Sequence, residues 1–396
     1  MADHPLGGRA GADHRRGVAA HAAAQLRHPP AAGRRGRACR AGAAGARLGR
    51  DDADLHARVG GCPARRLRDI APASAVTLCR VPTPVRRRPA ATIERARRSR
   101  MADKVTKSRS KATKGDDTPI GPTGRPYQGF PTPAPLDGHG PARIIALCNQ
   151  KGGVGKTTTS INLAASLAEY GRRVLAVDFD PQGALSAGLG IQTHDVPTVY
   201  DLLLDTKRDP REAIVHSSVE NLDVLPANID LSAAEVHLVN EVARETILSR
   251  VLRHVAGEYD VILIDCQPSL GLLTVNALTA AHGVLIPLEC EFFALRGVAL
   301  LIETIDKVRD RLNPAIELDG LLATMYDPRT LHSREVLERV VEAFGDDVLE
   351  TVIGRTVKFP DASVSGVPIT EFAPEHAAAQ AYLRLARELV ARGAVA

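Results

Sequence analysis

Residues 148–160 read CNQKGGVGKTTTS. A general phosphate-binding loop has the pattern G-x-x-x-x-G-K-[ST], with a single lysine. Gly155, Lys156 and Thr157 supply its second half, but the first glycine is due at position 150, which is Gln150. A second lysine, Lys151, stands at the start of the loop instead. The apolar run RIIALCN (143–149) precedes the loop and has the continuous character of a buried parallel strand. After it, Ile161, Leu163, Ala164 and Leu167 fall at helical spacing, and Gly171 closes the segment. A strand, a glycine-rich loop and a helix in that order make a phosphate cradle. Gly152, Gly153 and Gly155 allow backbone N–H groups to turn inward, with Val154 and Thr158 completing the loop. The helix N-terminus adds partial positive charge. Lys156 is expected to reach the β- and γ-phosphates of a bound nucleotide, and the Thr157 hydroxyl to bind Mg²⁺.

Working outward, VDFDPQG (177–183) ends the next apolar run with Asp178 and Asp180. Strand alternation is expected to put both carboxylates on one side. VILIDCQP (261–268) carries four apolar residues into Asp265, the pattern of a strand whose carboxylate supports Mg²⁺. ATMYDPRT (323–330) ends another strand, where Met325 or Pro328 is placed to pack against a nucleotide base. Further strands are expected at 222–228, 283–290 and 318–326. Helices are expected at 232–255, with Ser232 as N-cap, and at 294–312, 332–344 and 376–392. Strands alternating with helices imply a doubly wound, mostly parallel sheet with helices on both faces, and ligands at the carboxyl ends of the strands.

Charge is unevenly divided. Residues 1–100 hold 22 Arg, no Lys and 7 acidic residues, a net of +15, with no Phe, Tyr or Trp. The other residues hold 29 basic against 39 acidic side chains, a net of −10. A segment without aromatics buries too little apolar area to offset its ordering entropy. Residues 1–100 are therefore expected to be disordered or to be upstream translation, with Met101 as the biological start. Residues 101–141 are polar and then Pro/Gly-rich, the composition of a disordered tail. The phosphate-loop domain is expected over 142–396. No run of about 18 apolar residues exists to cross a membrane as a helix. Cys148, Cys266 and Cys290 sit in or beside apolar runs without a C-x-x-C pair, as buried thiols do in a reducing compartment.

Together these motifs resemble the ParA family of partitioning ATPases, within the deviant Walker A group that includes MinD. The stretch NQKGGVGKTTTSINLAASLAEYGRRVLAVDFDPQGALSAGLGI is similar to the family throughout, as are CQPSLGLLTVNAL and ECEFFALRGVALLIETI, and Soj-type chromosomal proteins of high-GC Gram-positive bacteria look most alike. The resemblance implies that Lys151 reaches across a homodimer to the partner's nucleotide, while Lys156 serves the chain's own. It implies that Asp180 positions the attacking water and that Thr157, Asp178 and Asp265 support Mg²⁺. It further implies slow ATP hydrolysis, non-specific DNA binding by the ATP-bound dimer, a ParB-type stimulating partner and a cytoplasmic, nucleoid-associated location. An orphan role in replication initiation or cargo positioning is the alternative.

Three departures stand out. Gln267 replaces a proline after the Asp265 strand, Thr324 replaces an asparagine before Met325, and Pro360-Asp361 replaces a Ser-Glu pair in IGRTVKFPDASVSGVPI (353–369). Pro360 is retained as a base-site candidate with Met325. Because the family's DNA-contacting cations fall in the C-terminal half, the resemblance points to Arg296, Arg329, Arg334, Arg355 and Lys358. A membrane-surface role would need a C-terminal amphipathic helix with bulky apolar residues, and AYLRLARELVARGAVA carries no Phe or Trp. No membrane partner is expected.

Overall fold

A computed structural model describes residues 119–291 and 294–395. The leader at 1–100 and residues 101–118, for which disorder is expected, lie outside the described residues.

The apolar run before the phosphate loop forms β1 (Arg143–Leu147), an interior strand of the sheet. The loop leads into α1 (Lys156–Glu169), then β2 (Val174–Phe179), α2 (Ala184–Gly188) and α3 (Val199–Leu204). A short antiparallel pair follows, β3 (Val215–His216) and β4 (Leu222–Leu225). Next come α4 (Ala234–His237), α5 (Ile247–Arg253), β5 (Val261–Cys266), α6 (Leu272–Ala280), β6 (Gly283–Glu289), α7 (Ala294–Arg311), β7 (Glu317–Thr324) and α8 (Leu331–Phe344). The chain ends in α9 (Lys358–Ser365), α10 (Ile369–Phe372) and α11 (Ala377–Ala391).

The strands lie in the order β3-β4-β2-β5-β1-β6-β7, parallel except for β3 with β4. Both faces are covered, which is why the strands read as unbroken apolar runs. Along β5, Ile262 and Ile264 enter one core with α3, α5, α6, α7 and α8. Val261 and Leu263 enter the other, with α1 and α11. Register places Asp265 beside Leu147 on one side and beside Asp178 on the other. The loop after β1 and both aspartates thus emerge at one end of three adjacent strands.

Two expectations fail for identifiable reasons. The single helix over 232–255 is broken into 3-10 turns, α4 and α5, with Ala243 in the left-handed region at φ 55°. The Asn276 carboxamide accepts from Leu248 N (3.2 Å) and donates to Arg244 O (2.9 Å), taking backbone groups that a continuous helix would use. Arg244 likewise bonds Val239 O at 2.7 Å. Ser232 sits inside a 3-10 turn that Asn228 caps.

Residues 119–141 are also not a loose tail. They run over the body as an extended strap. Arg125 donates to Val348 O (3.0 Å) and Gly345 O. Arg384 of α11 stacks under Tyr127 at 3.7 Å. Arg172 reaches Ala134 O at 2.8 Å, and Asp260 takes Gly140 N at 2.9 Å and contacts His139 Nδ1 at 2.8 Å. Composition describes the strap, not the arginines waiting for it. Among the described residues, no helix is long and apolar enough to cross a membrane.

Candidate functional site

Asn149 fixes where the phosphate loop begins. Its buried carboxamide donates to Pro287 O (2.7 Å) and accepts Lys151 N (2.9 Å). Gly155 precedes α1 with φ 81°, a left-handed turn natural to glycine. Thr324 lies behind it, its hydroxyl between Val154 O (2.8 Å) and Leu288 O (3.0 Å). One hydroxyl hydrogen shared between two carbonyls ties the loop to β6 and β7. The residue that departs from the family's asparagine is therefore a prop for the loop.

Lys156 is buried, and its ammonium folds back to Lys151 O at 3.3 Å. Thr157 Oγ1 donates to Asp265 Oδ2 (2.7 Å) and Ser160 Oγ to Asp265 Oδ1 (2.9 Å). Asp265 is fully enclosed, and burial pushes its carboxyl up to about 6 against those two donors. A hydroxyl and a carboxylate at the N-terminus of α1 are hard oxygen donors of the kind Mg²⁺ selects. The residues present fit the ion.

Asp178 and Asp180 do not share an environment. Asp178 is fully buried and accepts Ser186 N (2.9 Å), Ser186 Oγ (2.7 Å) and Asp180 N (3.3 Å). It holds the following loop in shape. Asp180 lies past the end of β2, half-buried, with Gln182 N on its Oδ1 at 3.0 Å. Gly183 turns that loop at φ 62°, and a Cβ there would stand 3.0 Å from Ala227 O.

Burial, with the Asp265 charge adding, pushes Asp178 up to about 7 from 3.8. The folded chain thus holds this proton more tightly than the unfolded chain. The stability so gained is full below about pH 4 and is lost as pH rises through about 7. The nucleotide-free chain is expected to melt about 5 °C lower at pH 8 than at pH 5. Asp178→Asn should remove most of that difference, leaving the smaller step of Asp265. Thermal denaturation at the two pH values measures it; an undiminished difference in the variant would assign the dependence elsewhere.

Beside the loop lies a cavity of about 480 Å³, lined by Gly155, Thr158, Met325, Arg355, Phe359 and Pro360 among others. Met325 and Pro360, both expected near a base, come together here. Met325 sits at φ 52°. Pro328 lines a separate cleft behind the loop 354–356. Sequence reasoning missed Phe359 and Tyr382, which also line the cavity. Phe359 stood visible in KFPD, while Tyr382 reaches the site only through the packing of α11 on α1.

Lys151, at the start of the phosphate loop, lines a different cavity with Gln150 and Glu289. Its ammonium contacts Glu289 Oε2 at 3.0 Å and Glu291, whose carboxyl it holds below the usual range. These carboxylates were also missed, although ECE (289–291) ends β6 on the same side. Of the five cations considered for DNA, Arg329 pairs with Asp327 (2.9 Å), Arg355 with Glu289 (3.2 Å) and Lys358 with Asp361 (3.7 Å). Arg334 is exposed on α8, and Arg296 lines a cavity with Gln150 and Lys151. They are spread over several elements. Cys148 and Cys266 are buried neighbours with Sγ atoms 3.0 Å apart, and burial raises Cys290 to about 12.

A phosphate loop at the end of β1, flanked by two carboxylate-bearing strand ends and a base-sized cavity, defines a P-loop nucleotide-binding protein of the deviant, two-lysine type. A family model described as an AAA domain matches residues 142–318. The chain is 50% identical over 252 residues to the sporulation initiation inhibitor protein Soj of Bacillus subtilis, covering 63% of this chain and 99% of that protein. It is 47% identical over 255 residues to the chromosome partitioning protein ParA of Caulobacter vibrioides, covering 64% and 95%. An uncharacterized protein of Mycobacterium tuberculosis is 61% identical over 274 residues, covering 69% and 86%. The chain belongs to the ParA/Soj family of chromosome-partitioning ATPases. Among solved structures, a cobyrinic acid a,c-diamide synthase from Mycobacterium smegmatis with bound ATP analog and magnesium is 42% identical, with a TM-score of 0.56 over 64% of this chain and 96% of that one. The cell division ATPase MinD of Pyrococcus furiosus is 28% identical, with a TM-score of 0.54 over 63% and 99%.

Proposed function

We propose that the protein is an ATP-gated dimerisation switch: a slow Mg²⁺-dependent ATPase whose ATP-bound dimer holds DNA without sequence preference. A ParB-type partner accelerates hydrolysis and so releases it, in chromosome partitioning on the nucleoid within the cytoplasm. The observation that carries this reading is Lys151. It stands at the mouth of the chain's own phosphate loop, pointed away onto two carboxylates, Glu289 and Glu291. A lysine held at the rim by carboxylates is free to exchange them for a second chain's phosphates. The pairs with Glu289 and Glu291 are partly exposed and therefore inexpensive to open, about 0–1 kcal/mol each.

A second support is apolar. Val236, Val239 and Val242 are exposed, at 71%, 51% and 88%. They follow Ile229, also exposed, which lines a cavity with Gln182 and Gly183 of the Asp180 loop. Such a strip beside the site fits burial against a second copy. In this reading Lys156 and the loop N–H groups hold the triphosphate, Met325 and Pro360 pack on the base, and Thr157 with Asp265 holds Mg²⁺, which draws charge from the γ-phosphate. Asp180 orients the attacking water, and Asp178 keeps that loop in shape. DNA contact falls to a few of Arg296, Arg329, Arg334, Arg355 and Lys358, since the body as a whole is acidic.

Lys151→Ala is the decisive variant. ATP affinity should stay within about threefold of the parent, because the cross-chain contact is absent in the monomer. The ATP-dependent dimer on size-exclusion chromatography should be lost, and with it co-sedimentation with DNA in ATP. A normal dimer would remove the cross-chain role. Parent protein that sediments with DNA equally in ATP, ADP and no nucleotide would remove the switch.

A further inference from the structure

The strap before β1 lies outside the segment matched by the family model, yet the contacts of its first half, Arg125 to Phe130, converge on one edge of the fold. Arg125 bonds Val348 O at 3.0 Å and Gly345 O. Tyr127 and Phe130 stack on Arg384 of α11, at 3.7 and 5.1 Å from the ring centroids to the guanidinium. Arg384 in turn faces the buried carboxylate of Glu350 at 4.0 Å. One turn along α11, the fully buried Glu388 accepts Glu350 N (2.7 Å) and Thr351 N (2.8 Å). Strap and helix thus grip residues 345–351, which run beside β7 through Leu349 N to Leu321 O at 3.0 Å.

That edge continues directly into the wall of the base cavity. Ile353 N bonds Ala323 O (2.9 Å), Tyr326 N bonds Ile353 O (3.0 Å), and Arg355 N bonds Tyr326 O (3.2 Å). Ile353, Gly354, Arg355 and Thr356 line the cavity beside the phosphate loop. On the other side of Gly354–Thr356, a cleft of about 550 Å³ is bounded by Ile120 and Pro122 of the strap. An edge segment has a sheet neighbour on one side only, so its position depends on what covers it.

We infer that the strap positions the base wall: Arg125, Tyr127 and Phe130 set nucleotide affinity through residues 345–356 without touching the nucleotide. The inference rests on reading the cavity as the base site of an ATPase. It predicts a split between the two halves of the ligand. The phosphate loop is anchored by Asn149, Thr324 and β1, none of which the strap contacts through the bonds described above, so the polyphosphate should be indifferent to it.

The test uses the full chain with Mg²⁺ and titrates ATP and inorganic pyrophosphate by calorimetry. Replacing Tyr127→Ala together with Phe130→Ala should weaken ATP about fivefold to tenfold, the scale of a lost cation–π stack, and leave pyrophosphate within about twofold. KM for ATP should rise with kcat nearly unchanged, and Tyr127→Phe, which keeps the stack, should match the parent. Arg125→Ala should show the same split, and it carries the comparison if circular dichroism shows the double variant unfolded. Unchanged ATP affinity, or equal loss for ATP and pyrophosphate, would overturn the inference. A parent protein that binds neither ligand would instead remove the nucleotide reading beneath it.

Discussion

Lys156→Ala is expected to weaken ATP binding by a hundredfold or more. Lys156 is 6% exposed, and among the described residues its ammonium hydrogen-bonds the carbonyl of Lys151, at 3.3 Å. Asp265 is near enough for the two charges to act on each other, and triphosphate oxygens would add direct hydrogen-bonded partners for the ammonium. Removing one partner of a buried, hydrogen-bonded charge pair costs about 2–5 kcal/mol, roughly thirtyfold to several thousandfold in affinity. Desolvation offsets the attraction of Asp265, so the same lysine should add little net stability to the nucleotide-free fold. The variant's melting temperature without nucleotide should therefore stay close to the parent's, while the rise on adding ATP disappears. Calorimetric titration together with thermal denaturation reads both. Affinity within about threefold of the parent would take Lys156 out of the phosphate site. A collapse of the nucleotide-free melting temperature would make its role structural.

The reason this site was readable in sequence is that its parts are local. The loop, its lysines and Thr157 are consecutive, and each aspartate ends its own apolar run, so strand order alone brings Asp178 and Asp265 side by side. What strand alternation could not convey is depth. Asp178 and Asp180 are two residues apart, but the chain leaves β2 between them, and one is sealed under Ser186 while the other remains at the surface. The two carboxylates therefore have different work despite one motif.

Less legible were the features that depend on partners far along the chain. Helical spacing over 232–255 is real, but Asn276, from α6, captures the backbone in its middle. Propensity is a local quantity, and tertiary hydrogen bonds override it. Residues 119–141 have a tail's composition and still bind, because Arg384 lies more than 240 positions away to receive Tyr127 and Phe130. Thr324 presented itself as a departure from a family pattern. Only the spatial meeting of Val154 and Leu288 carbonyls gives its hydroxyl a purpose.

Asp180→Ala is expected to lower the rate of ATP hydrolysis by about a hundredfold to ten-thousandfold while leaving nucleotide binding intact, the range for removing a group that handles a proton in the transition state. The carboxylate sits past β2 at the same sheet end as the phosphate loop and is only half-buried, so it has access to a water. Its hydrogen bond from Gln182 N, at 3.0 Å, closes the turn. Two roles, turn and catalysis, are therefore present in one side chain, and Asp180→Asn separates them. Asparagine retains an oxygen to accept Gln182 N but has no negative charge with which to orient and deprotonate water. If catalysis is the role, the Asn variant should be as slow as the Ala variant in single-turnover phosphate release. If the turn is the role, the Asn variant should recover near-parent rates. A further consequence follows from the switch. A chain that binds ATP, dimerises and hydrolyses slowly should remain on DNA, so both variants should co-sediment with DNA in ATP for longer than the parent. Rapid release of Asp180→Ala in ATP would separate DNA dissociation from hydrolysis and remove the gate from the proposed cycle.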